Sequence, residues 1–458
     1  MTLGRHLSSS ALADVVRLRP FRRLWLVFGL SSLGDWLGLL ATSSFASALM
    51  GSPAAQGATF GAIIAVQLLP WLVLGPFAGV LADRFDRRHT MVLVDLARFL
   101  LFASIPAAAQ LVDQHEIVVA WAAIASFGAQ AGAMVWNPAK EAAVPNLLPR
   151  GRLETANQLT IVTTYGITPV LAALTFAATA RLPHVGRTGA AAVALYFNAL
   201  TFLACATVVF FGVREISGRR EAAAPRPESW WAALRTGWRY LTATPLLRGL
   251  LAGLLGAFAG AGIVVGGARF YSRSLGGGDA TFGLLFAGLF VGFGLGVVAG
   301  PRLAGRLSRH LLFGLAVQVA GLAVVALAMM PRLTAALGAV LVVGFGAGLA
   351  LLCGVTLIGA EVDDGVRGRV FAFVQTSARA MLLLAIALSS ALAGAGENWQ
   401  MVLGPVAVPA DSSRMLFTLA GIGAAIVGTV AVRQMTSQDD VAIRRELRRA
   451  FEHPAKRH

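Results

Sequence analysis

Long apolar runs recur along the chain at intervals of a few tens of residues, each broad enough to cross the roughly 30 Å hydrocarbon core of a bilayer as a helix of about 20 residues. Twelve such spans are expected, near 24–49, 58–82, 90–111, 116–138, 156–179, 189–213, 246–268, 281–300, 310–330, 333–357, 371–394 and 413–433. The longest polar interruption, near 214–245, separates six spans from six. Its first part, "SGRREAAAPRPES", is polar and Pro-containing and reads as a linker. Its second part places Trp231, Leu234, Trp238 and Leu241 at helical spacing, the pattern of a helix lying in the headgroup region or packed under the bundle. The expected organisation is therefore a six-helix bundle over 1–213, a linker with an amphipathic helix over 214–245, a second bundle over 246–433 and a basic tail over 434–458.

Composition agrees with lipid as the solvent: 57% of the 458 residues are hydrophobic and 13% charged, about half the charged fraction of soluble domains. The net charge of +16 changes the picture only through where the charges fall. With the N-terminus inside, the inner segments hold 30 Lys and Arg and the outer segments six: Arg181, Arg187, Arg269, Arg273, Arg332 and Arg414. Such a bias sets orientation, with both termini cytoplasmic, and removes the nucleic-acid reading of the basic balance. The first apolar run is too long for a signal-peptide core and lacks a cleavage-like site, so a retained span is expected. Cys205 and Cys353 fall inside apolar runs and read as packing residues.

The halves carry a faint repeat. "ADRFDRR" (82–88) follows span two and "AGRLSRH" (304–310) follows span eight. Arg84 and Arg87 keep basic counterparts in Arg306 and Arg309, while Asp83 and Asp86 become Gly305 and Ser308. Two related six-span halves joined by an inner loop are the plan of transporters that rock around a central site.

"GVLADRFDRR" (79–88) resembles the loop between helices two and three of the major facilitator superfamily. Four further stretches resemble its bacterial drug-exporter branch, related to macrolide-efflux and enterobactin-export proteins: "RPFRRLWLVFGLSSLGDW", "NPAKEAAVPNLLPRGRLETANQL", "GWRYLTATPLLRGLL" and "DDGVRGRVFAF". The resemblance implies an all-α membrane protein with twelve transmembrane helices in two pseudo-symmetric bundles. It also implies a latch between the loop holding Gly79, Asp83, Arg84, Arg87 and Arg88 and the start of span eleven. A topogenic basic loop is the alternative, and it explains the arginines better than Asp83. Two departures stand out: span five keeps Pro169 but has Thr168, Ala172 and Ala173 where drug antiporters carry glycines, and span four has no arginine.

Charged residues inside spans are costly, and four arise here. Asp35 lies near the middle of span one, where an acid costs roughly 2.5–3.5 kcal/mol and must face the bundle interior or a wet cavity. It is the first candidate for proton coupling or for a substrate's charge, against a buried acid that only holds packing. Asp95 and Arg98, three apart on one helix face, are expected to pair with each other, either structurally or as part of a gate. Arg379 in span eleven needs a partner from another helix or an anionic ligand. Gln67, Gln130, Asn198, Gln318 and Gln375 are interhelical glue or cavity lining. Trp71, Trp136, Tyr165, Phe258 and Phe286 are packing residues or the walls of an apolar pocket.

No P-loop, paired metal ligands or nucleophile elbow is present, so no catalytic residue, metal or cofactor is expected. The expected function is secondary active transport by alternating access, a proton-coupled export of a hydrophobic or amphipathic molecule across the bacterial cytoplasmic membrane. The expected partners are that small molecule, protons and the lipid bilayer, with no nucleic acid, and the chain is expected to act as a monomer. A lysophospholipid or siderophore transporter of the same fold is one rival. A membrane sensor or scaffold, docking through "IRRELRRAFEHPAKRH", is the other.

Overall fold

Helix starts are written locally. Ser52 accepts a hydrogen bond from Ala55 N at 3.2 Å to open α2 (Pro53–Val73), after Pro20 has opened α1 (Arg19–Ala48) in its first turn. Asp86 caps α3 (Arg87–Leu111), its Oδ1 3.0 Å from His89 N. Ser308, its counterpart in the second half, caps α11 (Arg309–Met329) in the same way, at 3.4 Å from Leu311 N. The sequence repeat thus preserves a capping position while the residue changes from Asp to Ser.

The computed structural model describes residues 15–74, 86–148, 152–182, 189–212, 230–242, 245–362, 364–396, 399–403 and 406–436. The remaining helices are α4 (His115–Leu147), α5 (Leu153–Val162), α6 (Thr168–Thr179) and α7 (Gly189–Gly212), then α8 (Trp230–Leu241), α9 (Pro245–Ser274) and α10 (Asp279–Ala304). After α11 come α12 (Leu333–Glu361), α13 (Asp364–Ala395) and α14 (Ser412–Thr436). A π-helical turn, Thr163–Ile167, joins α5 to α6 within span five. Among the described residues, twelve helical segments are long and apolar enough to cross a membrane, at the positions expected from hydropathy. One addition breaks the all-helical pattern: β1 (Trp399–Leu403) and β2 (Val406–Ala410) form an antiparallel hairpin ahead of α14.

Two compact units, Met1–Pro225 and Arg226–His458, divide the chain. In the first, α1 packs on α7, α6 and α2; α3 packs on α4 and α7; and α2 packs on α4. In the second, α9 packs on α14, α13 and α10; α11 packs on α12 and α14; and α10 packs on α12. Span for span, the same pairs meet, so the pseudo-symmetry lies in the packing and not only in the sequence. α8 belongs to the second unit and lies against α13, with Trp238 5.9 Å from the Phe373 ring.

The halves hold themselves together differently. In α10 and α12, "VGFGLG" and "VGFGAG" face each other. A methyl group added at Gly292 or Gly296 would lie 2.1 Å from the carbonyl of Leu341 or Phe345. One at Gly344 or Gly348 would lie 2.0 or 2.2 Å from that of Leu289 or Phe293. Backbone thus meets backbone in a reciprocal small-residue seam of the kind that packs membrane helices without a hydrophobic driving force. The first unit instead buries charge at mid-helix, whereas the second keeps its buried arginines, Arg269 and Arg414, near the ends of α9 and α14 beside Asp279 and Asp411.

Candidate functional site

The buried charge is built where α1, α3, α4 and α7 converge. α1 supplies Ser31 and Asp35 near its middle, and Gly34 and Gly38 beside them let its neighbours close in. A methyl at Gly34 would stand 2.7 Å from Phe202 and from Thr201 Oγ1 of α7. One at Gly38 would stand 2.9 Å from Asn198 and from Phe102. Close approach of α1 is what brings Asp35 within reach of Arg98.

Arg98 is 1% exposed and every arm of its guanidinium has a partner. Nε donates to Ala129 O at 3.1 Å, Nη1 to Ser31 Oγ at 3.3 Å, and Nη2 to Asp35 Oδ1. Its flat face lies over the Phe202 ring, 4.2 Å from the centroid, and Phe202 stacks in turn on Phe102. Such a cation is fixed by hydrogen bonds at its edge and by an aromatic quadrupole at its face. Asp35 differs: its side chain is 35% exposed, so the ion pair is closed on the arginine side and open on the carboxylate side.

The expected Asp95–Arg98 pair does not form. Although three apart on α3, the two find different polar partners, Arg98 the Asp35 carboxylate of α1 and a carbonyl of α4, Asp95 the Trp136 indole of α4. Asp95 is fully buried, its Oδ2 accepting from Trp136 Nε1 at 3.0 Å, while its Oδ1 has no hydrogen-bond partner. Lys140, one helical turn beyond Trp136, sets its ammonium 5.8 Å from that indole and 5.1 Å from the Phe28 ring. The i,i+3 spacing makes a pair possible, but a guanidinium long enough to cross to α1 takes the carboxylate that completes its fork.

The other expected residues scatter. Asn198 is buried beside Gly38 and Phe102, and Gln67 is buried on α2; neither amide has a hydrogen-bond partner. Gln130 is buried on α4, next to the carbonyl that binds Arg98, while Trp71 on α2 is half-buried and Tyr165 is exposed on the π-turn. In the second unit, Gln318 donates to Thr429 Oγ1 at 3.1 Å and joins α11 to α14, the glue role. Phe286 lines an apolar cavity of about 30 Å³ with Tyr271, Phe282, Leu285 and Phe417. Elsewhere in that unit Phe258 and Arg379 are half-buried, and Gln375 is exposed. Gly79, Asp83 and Arg84 lie outside the described residues. Arg87 is buried, and Arg88 donates to Phe210 O and sits 5.0 Å from that ring. With Arg23 donating to Gly212 O at 2.9 Å, two arginines satisfy carbonyls at the C-terminus of α7, where the helix dipole favours cations.

A second polar face of α1 was not legible as a site. Trp25 Nε1 donates to Thr163 Oγ1 at 3.0 Å, Trp36 Nε1 donates to Thr164 O at 3.1 Å, and Ser32 Oγ lies 2.7 Å from Thr168 Oγ1. All three partners are in or beside the π-turn. Asp35 and Trp36 are thus consecutive residues tied to different helices. The sequence signal was Pro169 shortly after Gly166, a helix breaker inside an apolar run.

Twelve helices in two like-paired sixes, with an intramembrane ion pair in one of them, define a multi-pass membrane transporter. A family profile described as transmembrane secretion effector, within the major facilitator superfamily, matches residues 9–451, and the chain belongs to that family. An uncharacterised transporter of the superfamily from Mycobacterium tuberculosis is 28% identical over 394 residues, 83% of this chain and 86% of its own length. Another, YfiS of Bacillus subtilis, is 27% identical over 233 residues, so the match spans about half of each chain. Among solved structures, a bacterial homologue of the human lysosomal transporter Spinster aligns over 98% of this chain and 100% of its own, at 15% identity and a TM-score of 0.63. A D-xylose–proton symporter aligns over 89% and 97%, at 13% identity and a TM-score of 0.67. These likenesses show a shared fold.

Proposed function

We propose that the chain is a proton-coupled exporter of a hydrophobic or amphipathic small molecule, working by alternating access in the bacterial cytoplasmic membrane with both termini inside. The carrying observation is the one-sided ion pair: a sealed guanidinium facing a carboxylate that is one-third exposed. A proton or a cationic group arriving at Asp35 neutralises or occupies the carboxylate and takes Arg98's partner away. Differential stability of the pair between the two states is what a ligand needs in order to shift a conformational equilibrium. The 30-to-six split of basic residues supports the orientation, and the secretion named in the family's description supports the outward direction. The resemblance of four stretches to drug exporters supports an amphipathic cargo.

Ethidium efflux driven by a pH gradient in inside-out vesicles tests the reading. Wild type should move the dye only with the gradient present. Asp35→Asn should lose at least nine-tenths of that flux at equal amounts of folded protein, because an amide can neither bind a proton nor pair with Arg98. Unchanged gradient dependence in Asp35→Asn sinks the coupling role.

A further inference from the structure

The π-turn of span five has a chemical cause and a consequence for Asp35. In an uninterrupted α-helix, the carbonyl of Thr164 would receive the N–H of Thr168. Here that N–H reaches back five residues to Thr163 O. The next residue, Pro169, has no N–H to offer. Thr164 O is therefore released from the backbone ladder at membrane depth, where an unsatisfied carbonyl costs several kcal/mol. Side chains satisfy it instead: Thr168 Oγ1 from its own helix at 3.1 Å and Trp36 Nε1 from α1 at 3.1 Å, with Ser32 Oγ at 3.5 Å. Of these, the indole N–H is the one rigid donor, on a side chain with no acceptor role of its own.

Trp36 follows Asp35, so their side chains leave α1 about 100° apart around its axis. One direction ends on α3, at Arg98, and the other on the opened carbonyl of span five. Because the two ends hold α1 from different sides, they fix its rotation. We propose that Trp36 is a positioning residue for Asp35: by anchoring α1 to the carbonyl that Pro169 leaves open, it holds the Asp35 carboxylate on Arg98. The π-turn is then a built receptor for one indole and not a packing irregularity, in keeping with the frequent placement of such turns at functional sites. Trp25, which donates only to a rotatable hydroxyl at the start of the turn, does not share this role. The functional meaning rests on the reading of Asp35 as the coupling site; the positioning itself does not.

The test is a set of double-mutant cycles on the purified full-length protein, with melting followed by a thiol-reactive dye at the buried Cys205 and Cys353. Asp35→Asn, Arg98→Gln and their combination are compared in the wild-type, Trp36→Phe, Pro169→Ala and Trp25→Phe backgrounds. In wild type the two substitutions should be non-additive by several degrees. That non-additivity should fall by at least half in Trp36→Phe, which keeps the ring but loses the donor. It should fall equally in Pro169→Ala, which lets Thr168 N–H close onto Thr164 O, and no further in the Trp36→Phe/Pro169→Ala background. Trp25→Phe should retain it. If Trp36 served packing alone, Trp36→Phe would lower the melting temperature and leave the non-additivity whole. That result, or additivity already in wild type, overturns the proposal. Ethidium flux in Asp35→Asn is a separate measurement: its survival would overturn the coupling reading without touching the cycle.

Discussion

At the scale of single residues, the site depends on the fork of Arg98 and not only on its charge. Three donors on one rigid plane reach α4, α1 at Ser31 and α1 at Asp35, while an aromatic ring backs the plane. Lysine carries the charge on a single nitrogen and can replace about one of those contacts. Arg98→Lys should therefore destabilise the protein by about 1.5–3 kcal/mol for each charged hydrogen bond lost, read as a melting shift of several degrees, with ethidium flux falling too. A lysine variant that melts and transports like wild type would mean that the charge alone suffices. The individual players were legible, because charges in apolar runs announce themselves. Their pairing was not: Asp95 is nearer in sequence, but which helix lies opposite each face of α3 is decided by Gly34 and Gly38 admitting α7 and α3 to α1. A one-dimensional spacing rule has no access to that choice.

At the scale of elements, hydropathy located the membrane helices because each must satisfy its backbone internally and present an apolar surface along its whole length. What it missed is local chemistry inside or between spans. The π-turn hides within a continuous apolar run and is marked only by Pro169. β1 and β2 fall within "WQMVLGPVAVPA", a stretch in which the Gly-Pro dipeptide between two β-prone runs is the sequence signal that a search for spans passes over. α8 lies where the Trp and Leu spacing placed a helix, and it seats through one residue without a side chain. A methyl on Gly237 would lie 2.5 Å from Phe373 Cβ and 3.0 Å from Arg369 O, atoms too close to the backbone to move aside cheaply. Gly237→Ala should therefore lift α8 from α13 at an overpacking cost of about 1–3 kcal/mol. Faster amide hydrogen exchange over 230–241 in the variant, with α9 to α14 unaffected, is the expected outcome. Unaltered exchange would show that the contact yields.

At the scale of the whole molecule, one packing pattern serves two purposes. The first unit places its buried charge where α1, α3, α4 and α7 meet. The second has Val317 and Ala320 at the positions corresponding to Asp95 and Arg98 by the repeat offset, and so carries no copy of the site. It also invests its glycines in backbone contact: Gly321 and Gly421 each bring a would-be methyl to 2.6 Å from the other's carbonyl, between α11 and α14. On the proposed coupling role of Asp35, the first unit would sense charge through its mid-helix pair and the second, whose buried arginines lie near helix ends, would supply a close-packed body, which makes a paired prediction. Gly344→Ala puts a methyl 2.0 Å from Leu289 O, a clash with backbone that no rotamer relieves, so α10 and α12 must separate. The expected result is a large fall in melting temperature and in the yield of folded protein. Ethidium flux per folded molecule should nevertheless keep the wild-type dependence on the pH gradient. Asp35→Asn should do the reverse, sparing the yield and losing the gradient dependence. If Gly344→Ala changes the gradient dependence of the surviving protein as much as Asp35→Asn does, coupling is spread over both units, and the division drawn from the mid-helix ion pair of the first unit is wrong.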